Sequence, residues 1–254
     1  MFLIFAVNNI LFTMKNYFKA IAAIMLMTAV VLTACKPEND PNNNGNNNGG
    51  GNGTYNGHDY VDLGLPSGTL WATCNVGANT PEEYGDYFAW GETQPKDYYF
   101  WSNYRYSDEI EYYGLIKYCN DPGYGYNLFT DTLIVLQPDD DAAFDNWGSD
   151  WCTPTPDQWM ALINNTEERW DNGVLCFVAS NGNSIILPAA GFYKEDRVMD
   201  AGRWVHYWSN SLRVEAPDDA LYFVYGTYGS GWHYEISYST RCFGSPVRPV
   251  CISK

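Results

Sequence analysis

Basic side chains are scarce in this chain: 14 Lys and Arg stand against 30 Asp and Glu, a formal charge of −16. That balance excludes the electrostatic footprint of a nucleic-acid binder and disfavours docking on anionic lipid headgroups. Histidine is limited to His58, His206 and His233, and no CxxC or Cys/His cluster with zinc spacing occurs among the seven cysteines, so neither a zinc ribbon nor a finger is encoded. Long apolar runs are missing too. The one extended run, Ile21 to Ala34, is interrupted by Thr28 and Thr33 and falls short of the roughly 20 residues of a membrane span.

What that run has around it is informative. The first 34 residues lack any acid, Lys15 and Lys19 precede the run, and Leu32-Thr33-Ala34-Cys35 closes it, giving the charged, apolar and small-residue regions of an export signal. Met14 followed by Lys15 reads as a more natural start than Met1. The closing tetrapeptide resembles the lipobox of bacterial lipoproteins. That resemblance implies cleavage before Cys35 and acyl chains on its thiol and new amino terminus, an anchor of about 0.8 kcal/mol per buried methylene. "KPENDPNNNGNNNGGGNGTYNG" follows, mostly Asn and Gly. It is too polar to offset its ordering entropy, and residues 35–56 read as a tether spanning about 25 Å on average. Lys36 with Glu38 and Asp40 resembles the surface-export signal of Bacteroidetes-type lipoproteins. Without Lys15 and Lys19 the mature chain holds 12 basic and 30 acidic residues, a formal charge of −18.

Residues 57–254 suit one domain with a real core. Six cysteines remain there: Cys74, Cys119, Cys152, Cys176, Cys242 and Cys251. An even number in an exported domain suggests disulfides, with 15 possible connectivities, and the other reading is small buried hydrophobes.

"HDYVDLGLPSGTLWATCNVGA" predicts two short strands about a Pro-Ser-Gly turn, and Thr80 to Asn127 has no sustained period. Such a segment either binds or covers a sheet. "WCTPTPDQWMALI" predicts a helix: Thr155 caps, Pro156 takes the first position, Gln158 closes the capping box, and Trp159, Leu162 and Ile163 share a face. Asp139-Asp140-Asp141 before Ala142 predicts a second short helix. Val174–Ala179 and Ser184–Leu187 flank Asn181-Gly182, a hairpin signal. The rest reads as β. In "WHYEISY" the alternation sets Trp232, Tyr234, Ile236 and Tyr238 on one face, which predicts that these four are core. "LYFVY" is apolar on both faces, as in a central strand, and Tyr228 falls in the turn from Gly226 to Gly231.

Taken in order, "VDLGLPSGTLWATCNVGA", "PEEYGDYFAWGE", "DDAAFDNWGSDWCTPTPDQWMALI", "LPAAGF", "YWSNS" and "RCFGSPVRPV" resemble the Fibrobacter succinogenes major paralogous domain of surface lipoproteins. Where that family has Arg after the Trp, this chain has Cys152, which removes a cation and offers a disulfide partner. The resemblance implies an α+β fold of the C-type lectin-like and formylglycine-generating-enzyme-like kind: twisted antiparallel strands, one or two short helices and long irregular loops. It transfers no catalytic residue.

Function therefore reads as non-catalytic binding of a glycan or an extracellular protein on the outer membrane, with membrane contact through the lipid anchor only. Loop aromatics supply the candidate contacts, above all Trp101, Tyr104, Tyr124, Tyr126 and Tyr228, with Tyr98, Tyr99 and Tyr106 beside them. A structural or assembly role in an envelope or fimbrial complex is the alternative. Catalysis lacks a motif: Cys242 and Cys251 are nine apart, and none of the histidines has a recognisable nucleophile partner. Paired carboxylates have no separation that sequence can read. No cofactor and no metal are expected. Asp139, Asp141 and Asp145, with Asp140, carry oxygen ligands suited to calcium but lack the glycine and the glutamate of an EF-hand. Asp131-Thr132-Leu133 resembles a bacterial O-glycosylation acceptor.

Overall fold

The computed structural model describes residues 52–108, 112–228 and 231–252. The signal segment, Cys35 and the tether up to residue 51 lie outside them, as do the side chains of Tyr228, Trp232 and His233. In chain order the strands are β1 (Gly53–Tyr55), β2 (His58–Asp62), β3 (Thr69–Ala72), β4 (Phe88–Ala89), β5 (Thr166–Asp171), β6 (Val174–Ala179) and β7 (Ser184–Pro188). Then come β8 (Phe192–Lys194), β9 (Arg197–Met199), β10 (Val205–Leu212), β11 (Asp219–Tyr228), β12 (Gly231–Thr240), β13 (Gly244–Ser245) and β14 (Val250–Ile252). Two helices, α1 (Ala142–Trp147) and α2 (Pro156–Asn165), lie between β4 and β5. The strands form four sheets, ordered β1-β2-β3-β14, β10-β11-β12, β4-β13-β8-β9 and β5-β6-β7. Every strand pair is antiparallel. Among the described residues no helix is long and apolar enough to cross a membrane.

Local chemistry explains the clearest elements. Thr155 Oγ1 accepts from Gln158 N at 3.1 Å and Gln158 Oε1 accepts from Thr155 N at 2.9 Å, the reciprocal capping box that starts α2. Asp141 caps α1 by accepting from Ala143 N. Gly182, at φ 88°, turns β6 into β7 as expected. A second Asn-Gly hairpin opens the domain: Asn56 and Gly57 take φ of 48° and 82° and join β1 to β2. The tether expected up to residue 56 therefore ends before Gly53, because β1 pairs with β2 and Tyr55 stacks on Tyr60 at 5.0 Å.

Strand alternation divides the core in two. Trp71 of β3 faces one cluster with Trp159, Leu162, Phe177, Leu187, Tyr207 and Phe223, so α2 and the β6–β7 hairpin pack there. Leu70 and Ala72 face the other cluster, with Trp90, Tyr104, Tyr118, Trp151 and Trp208. Trp159 lies parallel to Phe223 at 4.9 Å and packs on Trp71 at 4.7 Å. The irregular segment from Trp90 to Trp151 thus covers the second face of the sheets, and β3 and β11 are buried on both sides, Phe223 and Val224 included.

Two expectations are corrected. Tyr234 and Tyr238 are 48% and 51% exposed and Ile236 only half-buried, so the apolar face of β12 is not core throughout. β12 is an edge strand; Tyr234 merely stacks on Tyr225 at 6.4 Å, and Tyr238 lies under the Arg213 guanidinium at 3.5 Å. Of the six domain cysteines, Cys74, Cys119, Cys152, Cys242 and Cys251 carry free thiols, so these five form no disulfide among themselves. They serve as small fillers: Cys119 Sγ donates to Asp121 O at 3.2 Å and Cys152 Sγ to Val250 O at 3.7 Å.

Candidate binding groove

The loop Tyr98 to Asn103 owes its shape to one buried ring. Tyr99 is held by backbone bonds to Glu195 in both directions, 2.8 and 2.9 Å, while its hydroxyl donates to Tyr87 O. The ring fills the space where a Cβ on Gly244 would lie, 2.7 Å from the nearest ring carbon, so only glycine fits there. With Phe100 extended at φ −157° and ψ 168°, successive side chains point to opposite sides: Tyr98 is exposed, while Phe100 is half-buried and packs against the second core cluster. Asn103 fixes the turn, with Nδ2 donating to Tyr98 O at 2.6 Å and Oδ1 accepting from Phe100 N at 3.4 Å.

Opposite this loop, the turn after β12 brings Thr240 and Phe243 together, Phe243 N donating to Thr240 O at 3.0 Å. Phe243 stacks on Phe192 at 5.8 Å, and Lys194 Nζ stands 5.3 Å from the Phe243 centroid. Tyr112 completes an open groove of about 550 Å³ lined by Tyr98, Phe100, Trp101, Ser102, Tyr112, Lys194, Thr240 and Phe243. That volume matches small-ligand sites. Tyr98 and Tyr112 are 41% and 48% exposed, whereas Trp101 is nearly buried at the floor.

Of the candidates read from sequence, Tyr98 and Trp101 line the groove. Tyr104 is 2% exposed and beneath it: its hydroxyl donates to Trp90 O at 2.6 Å and accepts from Arg241 Nε at 2.8 Å, which takes it out of reach of a ligand. Tyr106 is buried as well, its hydroxyl donating to Asp140 at 2.5 Å. Tyr124 is half-buried, its ring 6.0 Å from Tyr112, and Tyr126 is exposed on the neighbouring turn without lining the groove. Sequence reasoning missed Phe100, Ser102, Tyr112, Lys194, Thr240 and Phe243. Alternation in "DYYFW" could have found Phe100; Lys194 and Phe243 carry no local signal because strand order alone brings them together.

The acids diverge. Asp141 accepts from Ala143 N, Thr153 N and Thr153 Oγ1, while burial pushes its carboxyl up despite those bonds. Asp140 accepts from the Tyr106 and Tyr118 hydroxyls, each at 2.5 Å, and from Lys117. Burial opposes its ionisation, but Lys117 and the two hydroxyls prevail and hold it below the usual carboxylate range. Asp139 and Asp145 are exposed, Asp145 accepting from Gln94 Nε2 at 3.4 Å. Among the described residues no three His, Cys, Asp or Glu side chains converge on a cation position. His58 lies flat on Trp147 at 3.8 Å, and His206 sits buried among Phe192, Trp204 and Tyr222. Thr132 is exposed, next to Asp131, which accepts from Tyr118 N, Cys119 N and Leu133 N.

Compared with family models, curated proteins and solved structures, the chain matches none.

Proposed function

We propose that this chain is a lipid-anchored surface domain of C-type lectin-like fold that binds a glycan in the groove between Tyr98 and Phe243 and does no chemistry on it. The observation that carries the reading is the lining: aromatic faces and edges, the aliphatic hydroxyls of Ser102 and Thr240, and, among the described residues, no carboxylate. Pyranose rings present apolar C–H faces that stack on such rings, and the hydroxyls of Ser102 and Thr240 offer exchange partners for sugar hydroxyls. The antiparallel sheets, two helices and long irregular covering segment support the lectin-like reading of the fold. The lipobox-like Leu32-Thr33-Ala34-Cys35 and the tether support outer-membrane anchoring.

The test is a glycan array probed with the full chain in detergent, beside Tyr98→Ala, Phe100→Ala and Tyr112→Ala. Selective binding that these substitutions abolish is the expected result. A silent array with folded protein counts against a carbohydrate and directs the search to an extracellular protein.

An assembly role draws support from a different feature. β12 is a ten-residue edge strand paired to β11 in unbroken register, without proline or bulge and with Glu235 as its one acid. Edges of that kind are open to strand addition.

A further inference from the structure

The groove holds the one described lysine without a carboxylate partner. Lys96 pairs with Glu92 at 2.8 Å and Lys117 with Asp140, yet among the described residues Lys194 has only the Phe243 ring beneath it. Acidic side chains outnumber basic ones by more than two to one in this sequence. A cation left unpaired at a half-buried position is therefore the exception here, and it lines the groove. Glu195 and Asp196 follow Lys194 directly but line no part of it, and Asp196 is 3.6 Å from Arg197.

We infer that the groove selects an acidic sugar, a pyranose carrying a carboxylate or a sulfate, with Lys194 as the residue that recognises the anion. The inference rests on the glycan reading of the same groove. A sugar stacked over Phe100 or Phe243 brings a substituent at its ring edge within reach of Lys194 Nζ, which already lies over the Phe243 face. An ammonium against a carboxylate or sulfate makes a short charge-assisted bond, and the aromatic lining sheds water around it. The other arm of the selection is repulsion avoided: among the described residues the lining holds no carboxylate to oppose the anion. The net negative charge of the chain opposes approach from afar, but at physiological salt the screening length is about 8 Å. Remote acids are damped there while the contact pair is not.

The experiment measures affinity by calorimetry at physiological salt with the full chain in detergent. The probes are three trisaccharides: trigalacturonate, a sulfated galactotriose and neutral galactotriose. The wild type is compared with Lys194→Met, Lys194→Arg and Phe100→Ala. The expected result is at least tenfold tighter binding of one or both acidic probes than of galactotriose, a preference that Lys194→Met erases and Lys194→Arg largely keeps. The arm that binds identifies carboxylate or sulfate. Equal affinities for acidic and neutral probes, lost together in Phe100→Ala and untouched by Lys194→Met, overturn the inference and leave the glycan reading standing. No binding of any probe by protein with a native near-ultraviolet spectrum overturns both.

Discussion

Arg241→Met tests the idea that one buried cation holds the irregular layer to the sheets. Arg241 has no exposed surface and donates four bonds: Nε to Tyr104 Oη at 2.8 Å, Nη1 to Tyr118 O and Pro217 O at 2.8 Å each, and Nη2 to Lys117 O at 2.7 Å. Its guanidinium also lies 5.1 Å from the Tyr104 centroid and 5.6 Å from that of Trp90. Hydrogen bonds to a charged group contribute about 1.5–3 kcal/mol each, so four amount to about 6–12 kcal/mol before the cost of burying the cation, several kcal/mol, is returned. Methionine fills the volume but leaves three carbonyls without their charged donor. A net loss of roughly 3–5 kcal/mol is expected, which for a domain of this size lowers Tm by about 2–4 °C per kcal/mol. The assay is urea unfolding followed by tryptophan fluorescence, where the midpoint falls and the slope stays. Arg197→Met is the control: its side chain is 68% exposed and 3.6 Å from Asp196, so a change within about 0.5 kcal/mol is expected. A loss under about 1 kcal/mol for Arg241→Met would refute the anchoring role. Because Arg241 stands between Thr240 and Phe243, the variant should also weaken whatever the groove binds.

His206 predicts an acid-sensitive fold. Burial lowers its pKa from 6.5 to about 4, so its contribution to stability is complete above pH 6.5 and is lost as pH falls toward 4. At about 1.36 kcal/mol per unit the loss by pH 5 is roughly 2 kcal/mol, and His206→Phe should flatten this slope in urea titrations at pH 7, 6 and 5. An unchanged slope would sink the assignment. Tyr222, stacked on His206 at 5.1 Å, has its hydroxyl pushed up to about 12 by burial and is silent in that range. Thiol titration checks the cysteines: at least five groups should react in denaturant without reductant. In the native protein Cys152 and Cys242 should react slowly at pH 8, since burial pushes each thiol up to about 12. Fewer than five groups in denaturant would restore a disulfide among the five.

Signals confined to a few adjacent residues were legible in the sequence. The Thr155-Pro156-Asp157-Gln158 cap and the Asn181-Gly182 turn fix their own backbone, and both elements stand where the sequence places them. Asn56-Gly57 carries the same hairpin chemistry, but the Asn- and Gly-rich composition around it outweighed a two-residue signal. β5 follows α2 without a loop, and its sequence, Thr-Glu-Glu-Arg-Trp-Asp, leaves it mostly solvated on an outer strand; so polar a segment hides from any apolar period. β12 shows the limit of periodicity itself. Period 2 states which residues share a face, and Tyr234, Ile236 and Tyr238 do share one, but whether another layer covers that face depends on strand order. The groove is harder still. Its walls come from residues 98, 100–102, 112, 194, 240 and 243, and nothing short of the full topology places them side by side.

The abundance of tyrosine is explained mainly by what an irregular layer requires. A segment without a ladder leaves carbonyls unpaired as it is buried, and tyrosine supplies apolar area together with a donor at its tip. Within the layer Tyr104 donates to Trp90 O at 2.6 Å and Tyr106 and Tyr118 both end on Asp140; outside it Tyr87 donates to Ala190 O at 2.6 Å and Tyr207 of β10 to Pro188 O at 3.1 Å. Aromatic content by itself is therefore no sign of a ligand. The distinction lies in how each ring ends: the buried covering tyrosines Tyr104, Tyr106 and Tyr118 are bonded at the hydroxyl, whereas Tyr98 and Tyr112 stay exposed in a groove with Phe100 and Lys194 that holds no carboxylate among the described residues. On the proposed reading of the groove, those rings, rather than Tyr104 or Tyr106, are the ones a ligand would touch.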